Sequence, residues 1–193
     1  MAFENPPPVR AAAGTTRLRL RDETAADHAA VDDIYSRFEL GERRGYRAFL
    51  EAQYACFAPL EQAITDAEAG DLLRDWPARR RAQLLTLDLA ELGVESPVPG
   101  PPAASLATPA AALGAIYVLE GSRFGGALFA RRLWAGAPAR FLGARADPAA
   151  WRGLLAVLDR HLSDESHMAA AVAAARSVFA AFAAAGQLRL EDA

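Results

Sequence analysis

Apolar side chains recur every three or four residues along most of the chain, and no segment alternates between apolar and polar positions for long. This spacing is typical of amphipathic helices rather than of strands. A first helix is predicted at residues 17–38. Its apolar stripe comprises Leu20, Thr24, His28, Val31, Tyr35 and Phe38. The pattern therefore predicts an all-helical fold.

The same spacing predicts the remaining helices. A second helix is predicted at residues 42–69. Pro59 lies within its apolar pattern, and we expect this proline to kink or split the helix. Further helices are predicted at residues 76–92 and 109–135, from Asp147-Pro148 onward, and from Ser163 or Asp164 to Gly186. Together these segments predict a multi-helix bundle around one core.

Prolines mark the predicted connections. Residues 94–108 contain four prolines, and we interpret them as a long loop within one domain, since neither side alone is long enough for a comfortable core. Residues 1–16, with three consecutive prolines, are expected to form a flexible N-terminal tail. Residues 17–186 are then one helical domain, and residues 187–193 a C-terminal tail.

Composition narrows the class of protein. The chain has 193 residues, of which 52% are apolar, and a formal charge of -3, which excludes a disordered chain. Its single cysteine excludes a disulfide scaffold, and its mild acidity provides no surface for nucleic acid. Alanine makes up roughly a quarter of the residues, far above typical usage. All 21 basic residues are arginine.

The expected location is the cytoplasm. The first 16 residues contain no apolar signal segment. Residues 168–186 are apolar enough to raise the question of a membrane span, but Arg176 lies at their centre, where a charge makes insertion costly. A buried helix of a soluble protein without membrane contact is the favoured interpretation.

His28 is the first candidate for chemistry because it lies on the apolar stripe. Taken alone, the helix favours a core histidine bonded to a neighbouring carbonyl or carboxylate. The alternative is a metal ligand. No second ligand stands at metal spacing, so a metal bound by one histidine would already be held by a macrocycle, as in haem. His161 and His167 are expected at the surface.

The second candidate is a glycine-rich helical segment at residues 113–133, which contains Gly114, Gly121, Gly125 and Gly126. A glycine inside a helix costs roughly 0.5–1 kcal/mol relative to alanine. These glycines serve either the close approach of two helices or the approach of the backbone to a flat ligand. The clustering at residues 121–126 favours the ligand, with space for a diatomic gas beside Ser122.

These candidates together resemble the bacterial haem oxygenases, of the biliverdin-producing type associated with bacteriophytochromes. LRLRDETAADHAAVD at residues 18–32 and YVLEGSRFGG at 117–126 carry the resemblance. Residues 79–93 and 173–182 resemble the third and last helices of that family. The resemblance implies a single-domain helical bundle with haem between the first, proximal helix and a glycine-bent distal helix.

The resemblance also assigns roles by position. His28 corresponds to the axial ligand of the haem iron, and Gly121, Ser122 and Gly125 to the catalytic distal helix. The implied haem-binding residues are Arg21, His28, Tyr117, Arg176, Phe179 and Phe182. For Arg176, a propionate partner and a solvated helix face are equally weighted. Whether Glu120 or Ser122 faces the pocket stays open. Arg79, Arg80 and Arg81 have two interpretations, a part in the distal water network or a charged helix end, and the second is favoured.

The implied reaction uses haem b as both cofactor and substrate, together with O₂, and produces biliverdin, ferrous iron and carbon monoxide. Electrons would come from a ferredoxin or a flavin reductase, because the chain has no Gly-x-Gly-x-x-Gly turn. A bacteriophytochrome would be a recipient of the biliverdin, and a monomer is expected. The alternatives are a haem-binding sensor or carrier without turnover, and a helical interaction protein whose glycines serve packing alone.

Overall fold

The computed structural model describes residues 15–67, 72–101 and 106–192. Over these ranges the chain is helical without any strand, which confirms the predicted class. The helices are α1 (Thr15–Glu23), α2 (Ala25–Ser36), α3 (Arg43–Asp66), α4 (Trp76–Arg79), α5 (Ala82–Glu91), α6 (Pro109–Gly121), α7 (Arg123–Ala130), α8 (Arg140–Gly143), α9 (Pro148–His161) and α10 (Glu165–Glu191). Most of the predicted N-terminal tail (residues 1–14) and part of the predicted loop (102–105) lie outside the described residues.

The core forms around α10, which packs against α6, α3 and α2. In the described part of the chain, α10 is the one helix whose length and composition would allow it to cross a membrane. Its inner face is instead buried among other helices, with Val178 fully buried and Phe179 and Phe182 nearly so. This packing is that of a core helix in a helical bundle.

The predicted first helix is divided into α1 and α2 at Thr24, which corrects the single helix expected at residues 17–38. The Thr24 hydroxyl donates to the Leu20 carbonyl at 2.7 Å, a bond that competes with regular helix geometry. His28 therefore lies on a short helix of its own, one turn after the break.

Pro59 does not split α3, so the expected break is wrong, and a kink there stays a prediction. A proline has no N–H to donate to the carbonyl four residues earlier, which here is that of Ala55. The backbone N–H of Gly100 donates to this carbonyl at 2.9 Å. A Cβ at Gly100 would lie 2.7 Å from the same oxygen, so the contact requires glycine. The predicted loop thus completes the helix.

Two further predicted helices are also divided. The helix expected at residues 76–92 breaks after Arg79, because the buried Glu61 carboxylate accepts from the backbone N–H groups of Arg81 and Ala82 and caps α5. The helix expected at 109–135 divides at Ser122, where the Leu119 carbonyl accepts bonds from side chains, and α7 ends at Ala130.

Asp88 explains a helix that the sequence did not predict. Its fully buried carboxylate accepts from the backbone N–H groups of Arg140 at 3.1 Å and Phe141 at 2.9 Å, and so caps α8 inside the expected loop. The C-terminal boundary also differs, because α10 continues through Gly186 to Glu191. Gly186 allows a close approach, since a Cβ there would lie 2.8 Å from Ile34 Cγ2. The tail predicted from residue 187 is therefore wrong as far as Glu191.

Candidate functional site

A cavity of about 1130 Å³ lies between α1, α2, α6, α7 and α10. This volume is slightly above the usual range for small-molecule sites, which is roughly 300–1,000 Å³. The predicted site residues that line it are Arg21, His28, Tyr117, Gly121, Ser122, Gly125, Phe179 and Phe182. The fold therefore brings together residues that lie more than 150 positions apart in sequence. This is the arrangement expected if they bind one large ligand.

His28 enters this cavity from α2 with one ring nitrogen beside a carboxylate. Its Nδ1 lies 2.9 Å from Asp32 Oδ2, one helical turn further on. Its ring meets Phe179 edge-on, with the centroids 5.6 Å apart. The side chain is 60% exposed, so the core-histidine interpretation does not apply. With Nδ1 facing a carboxylate, Nε2 is the ring nitrogen left to act as a metal ligand.

The four glycines of α6 and α7 separate into two groups. A Cβ at Gly114 would clash with the backbone of Ala171 on α10, and one at Gly126 would lie 3.1 Å from the Leu142 carbonyl oxygen. These two glycines allow close packing. A Cβ at Gly121 would meet nothing within 4 Å, and one at Gly125 only the tip of Phe129. Packing does not explain these two, and both line the cavity, as Gly126 also does.

Ser122 lines the cavity from the distal segment, next to Arg123, which also lines it. Its Oγ donates to the Leu119 carbonyl and accepts from the Arg81 guanidinium, both at 2.7 Å. The neighbouring Glu120 does not line the cavity. It is buried in ion pairs with Arg79 and Arg123, each at 2.8 Å. This answers the question that the sequence left open.

Arg81 is the functional candidate for which the sequence favoured the wrong interpretation, a charged helix end. It lines the cavity, is 3% exposed, and lies over the rings of Phe57 and Phe141 at 4.7 and 5.0 Å. Burial lowers the pKa of its guanidinium to about 9, so the group stays charged at neutral pH. In the sequence it appears as one of three consecutive arginines, and no local signal distinguishes it.

The network around Glu120 holds the distal segment in place. The Arg79 guanidinium, 4% exposed, bonds Glu120, Asp75 and the Ala150 carbonyl. Arg123 bonds Glu120 and the carbonyl oxygens of Arg79 and Ala144. These contacts join α4, α6, α7, α9 and the segment between α8 and α9. They explain why Arg79 is buried, contrary to its interpretation as part of a charged helix end.

One edge of the cavity is cationic. Arg17 and Arg21 project from α1, and Arg21 bonds only the adjacent Asp22 at 2.7 Å among the described residues. Tyr117 lies beside them, and burial raises the pKa of its hydroxyl despite both arginines. The edge therefore offers charged and neutral donors to an anionic group of a ligand.

Apolar side chains form the adjacent part of the lining. Phe124 and Leu128 lie one turn apart on α7 and are 56% and 67% exposed. Phe124 contacts the ring of Trp151 on α9, with the centroids 5.1 Å apart. Large exposed apolar side chains that share one cavity indicate an apolar ligand surface.

Arg176 does not line the cavity. It donates two hydrogen bonds to the Glu23 carbonyl at the end of α1 and lies 3.7 Å from Asp27. The structure thus places it on the outer face of α10, where it ties that helix to the junction of α1 and α2. This favours the structural alternative over a propionate partner.

Among the described residues, no group of three or more His, Cys, Asp or Glu side chains is arranged to hold a metal ion. The arrangement fits a metal that arrives within a larger ligand better than a bare ion.

Comparison with known proteins connects this geometry to a family. A curated protein named "Heme oxygenase" from Xanthomonas campestris pv. campestris (strain 8004) is 37% identical over 145 residues, which cover 71% of this chain and 86% of the relative. The NO- and CO-bound heme oxygenase from Neisseria meningitidis has a similar fold, with a TM-score of 0.77 and 24% identity over 92% of each chain. No family model matches the chain.

Proposed function

The chain belongs to the haem oxygenase family, and we propose that it cleaves haem with O₂ to biliverdin, ferrous iron and carbon monoxide. One observation carries the proposal. The cavity contains both a histidine oriented by a carboxylate and a helix segment whose two glycines leave space that packing does not require.

The lining fits haem by its chemistry. The side chains of Phe124, Leu128 and Phe179 match an apolar macrocycle, and the cationic edge at Arg17 and Arg21 matches propionate carboxylates. The absent Cβ atoms at Gly121 and Gly125 would otherwise occupy the space along the distal helix.

His28 would hold the iron through Nε2, while Asp32 holds the opposite side of the ring. The carboxylate fixes the orientation and tautomer of the imidazole and makes it a better donor to the metal. Bound haem supplies the redox-active iron and is itself the molecule that is oxidised.

On the distal side, Ser122 and Arg81 would manage water and protons. The Ser122 hydroxyl is held between the Leu119 carbonyl and the Arg81 guanidinium, so it can bind water at a fixed position next to Gly121 and Gly125. The charge on Arg81 favours negative charge that develops nearby in a site of low dielectric. Its contacts with Phe57 and Phe141 keep it in place.

The electron donor would be a separate ferredoxin or flavin reductase, because no nucleotide-binding turn is present in the sequence. We place the protein in the cytoplasm as a monomer, where its biliverdin is available to a bacteriophytochrome. The one cysteine, Cys56, is a buried free thiol, as expected for a protein of a reducing compartment.

Hemin titration followed by turnover tests the proposal. Purified protein should bind hemin in an equimolar complex with a Soret band. When a ferredoxin or a flavin reductase supplies electrons in air, that band should decay while biliverdin absorbance rises. A stable Soret band through repeated reduction and aeration would instead favour a haem carrier or sensor. Failure to bind hemin at all would favour a protein whose glycines serve packing alone.

A further inference from the structure

A second, smaller cavity lies where the start of α3 meets the end of α10. We call it the α3–α10 groove. Its volume is about 480 Å³, within the usual range for small-molecule sites. It is lined by Arg43, Arg44, Arg47, Ala48, Glu51, Leu92, Arg189 and Asp192. None of these residues lines the haem cavity, so the groove is a separate feature of the surface.

The groove has an excess of positive charge. Four guanidinium groups line it, against the two carboxylates of Glu51 and Asp192. Glu51 lies 2.9 Å from Arg47 and 3.9 Å from Arg189, so it is shared between two cations. Two positive charges therefore remain without a carboxylate of the lining to balance them.

The arginines also retain unused hydrogen-bond donors. Arg43 and Arg44 each donate one bond to a backbone carbonyl, those of Glu91 and Asp192. Arg189 approaches its two carboxylates only at 3.7 and 3.9 Å, distances beyond a hydrogen bond, although its side chain is just 29% exposed. A guanidinium has five N–H donors, so most of the donors in the groove have no partner among the described residues and can bind a ligand.

The position of these charges is unfavourable in the free protein. α3 begins with Arg43 and Arg44, and the acidic residue at this end is Glu42 at the N-cap, whose side chain makes no capping hydrogen bond. The first turn of a helix carries a positive partial charge, which repels cations. An anion in the groove would offset both this repulsion and the mutual repulsion of the guanidinium groups.

We propose that the α3–α10 groove binds a small organic dianion. The two unbalanced charges set the charge of the ligand, and the fork geometry of arginine suits carboxylate and phosphate oxygens. Ala48 and Leu92 supply apolar surface for a short carbon frame. A phosphate monoester and a dicarboxylate share this chemistry, and the experiment distinguishes them.

Calorimetric titration of the hemin-saturated protein tests the proposal, because bound hemin covers the arginines of the other cavity. The probes are glycerol phosphate, succinate and the monoanion acetate. At least one of the two dianions should bind saturably at one site, and at least tenfold more tightly than acetate. The dianion that binds more tightly identifies the ligand class. Absence of saturable binding by both dianions would overturn the proposal.

Substitution locates the site. Arg47→Gln and Arg189→Gln should each weaken dianion binding about tenfold, because each removes charge-assisted donors from the groove. Arg152→Gln on α9, an exposed arginine outside both cavities, should leave binding unchanged. Equal losses in all three variants would overturn the proposal. Thermal unfolding verifies that each variant is folded, and the same titration on hemin-free protein keeps the result independent of haem turnover.

Discussion

The guanidinium of Arg81 donates to the hydroxyl of Ser122 at 2.7 Å and thereby joins the start of α5 to the start of α7 across the floor of the haem cavity. Arg81 has no hydrogen bond to a carboxylate among the described residues, since Glu61 bonds its backbone and Glu120 is taken by Arg79 and Arg123. Because no described carboxylate bonds the Arg81 guanidinium, this buried cation can donate a hydrogen bond to a group inside the cavity.

Arg81→Met should therefore slow haem turnover on the order of a hundredfold, the scale of losing one well-placed donor near developing charge. Hemin affinity should change little, because the apolar lining and His28 remain. Stability should fall by about 1–3 kcal/mol, because the Leu119 carbonyl and the Ser122 hydroxyl lose a charged donor. The measurement is the single-turnover rate of the hemin complex. Arg80→Met, at an exposed neighbour, is the control, and a rate for Arg81→Met within twofold of wild type would remove Arg81 from the chemistry.

The Asp32 carboxylate should tune the axial ligand. Asp32→Asn replaces the charged partner of His28 Nδ1 by a neutral one, which should lower the iron–histidine stretching frequency and reduce activity about tenfold. Resonance Raman spectroscopy of the ferrous complex measures the first effect. Asp33→Asn, one residue further along α2, should change neither. An unaltered stretch in Asp32→Asn would mean that the carboxylate does not act on the ligand.

Removing His28 tests the ligand itself. His28→Ala should weaken hemin binding and abolish the native Soret spectrum, and added imidazole should restore the spectrum because it can occupy the vacated space. Spectral titration with and without imidazole follows both effects. A native spectrum in the variant without imidazole would exclude His28 as the axial ligand.

The glycines should respond to alanine in opposite directions. Gly125→Ala should stabilise the hemin-free protein by about 0.5–1 kcal/mol, the helix preference of alanine, because its Cβ meets no close neighbour. The same Cβ should weaken hemin binding about tenfold, the effect of roughly 1–3 kcal/mol of overpacking. Gly114→Ala should instead destabilise the fold through its clash with Ala171. Unfolding curves and hemin titrations measure both, and equal behaviour of the two variants would refute the distinction.

The two arginines that the resemblance assigns to propionates should differ in their effect on hemin affinity. Arg21→Ala should weaken hemin binding about fivefold, as expected for an exposed charge pair of at most about 1 kcal/mol. Arg176→Ala should leave hemin affinity unchanged and lower stability by about 1 kcal/mol, because it loses its bonds to Glu23. Parallel titrations decide this, and a loss of affinity in Arg176→Ala alone would reverse the assignment.

The features that the sequence predicted well are local ones. Asp147 and Asp164 cap their helices by accepting backbone N–H groups nearby, and Gly93 has a φ of 87° at a helix end, as its position after a leucine-rich helix predicts. His28 and the glycines of the distal segment were also predicted from local signals. His28 lies on the apolar stripe of its own helix, and glycines inside a helix reduce its stability.

The features that were missed depend on partners distant in sequence. Arg81 owes its place to Glu61, which ends α4 and starts α5 from twenty residues away. Pro59 is tolerated because Gly100 replaces its missing hydrogen bond. Gly186 resembles a helix terminator but packs against Ile34 and Tyr35. No local pattern reports such contacts, so helix breaks and buried charges require the fold.

The most direct test of the proposed haem oxygenase activity is a single turnover of the equimolar hemin complex, with a ferredoxin and its reductase as the electron source in air. We predict that the Soret band decays while biliverdin and carbon monoxide appear in amounts equal to the haem lost. A complex that is reduced and reoxidised repeatedly with its haem intact, or that loses haem without forming biliverdin, would contradict the account.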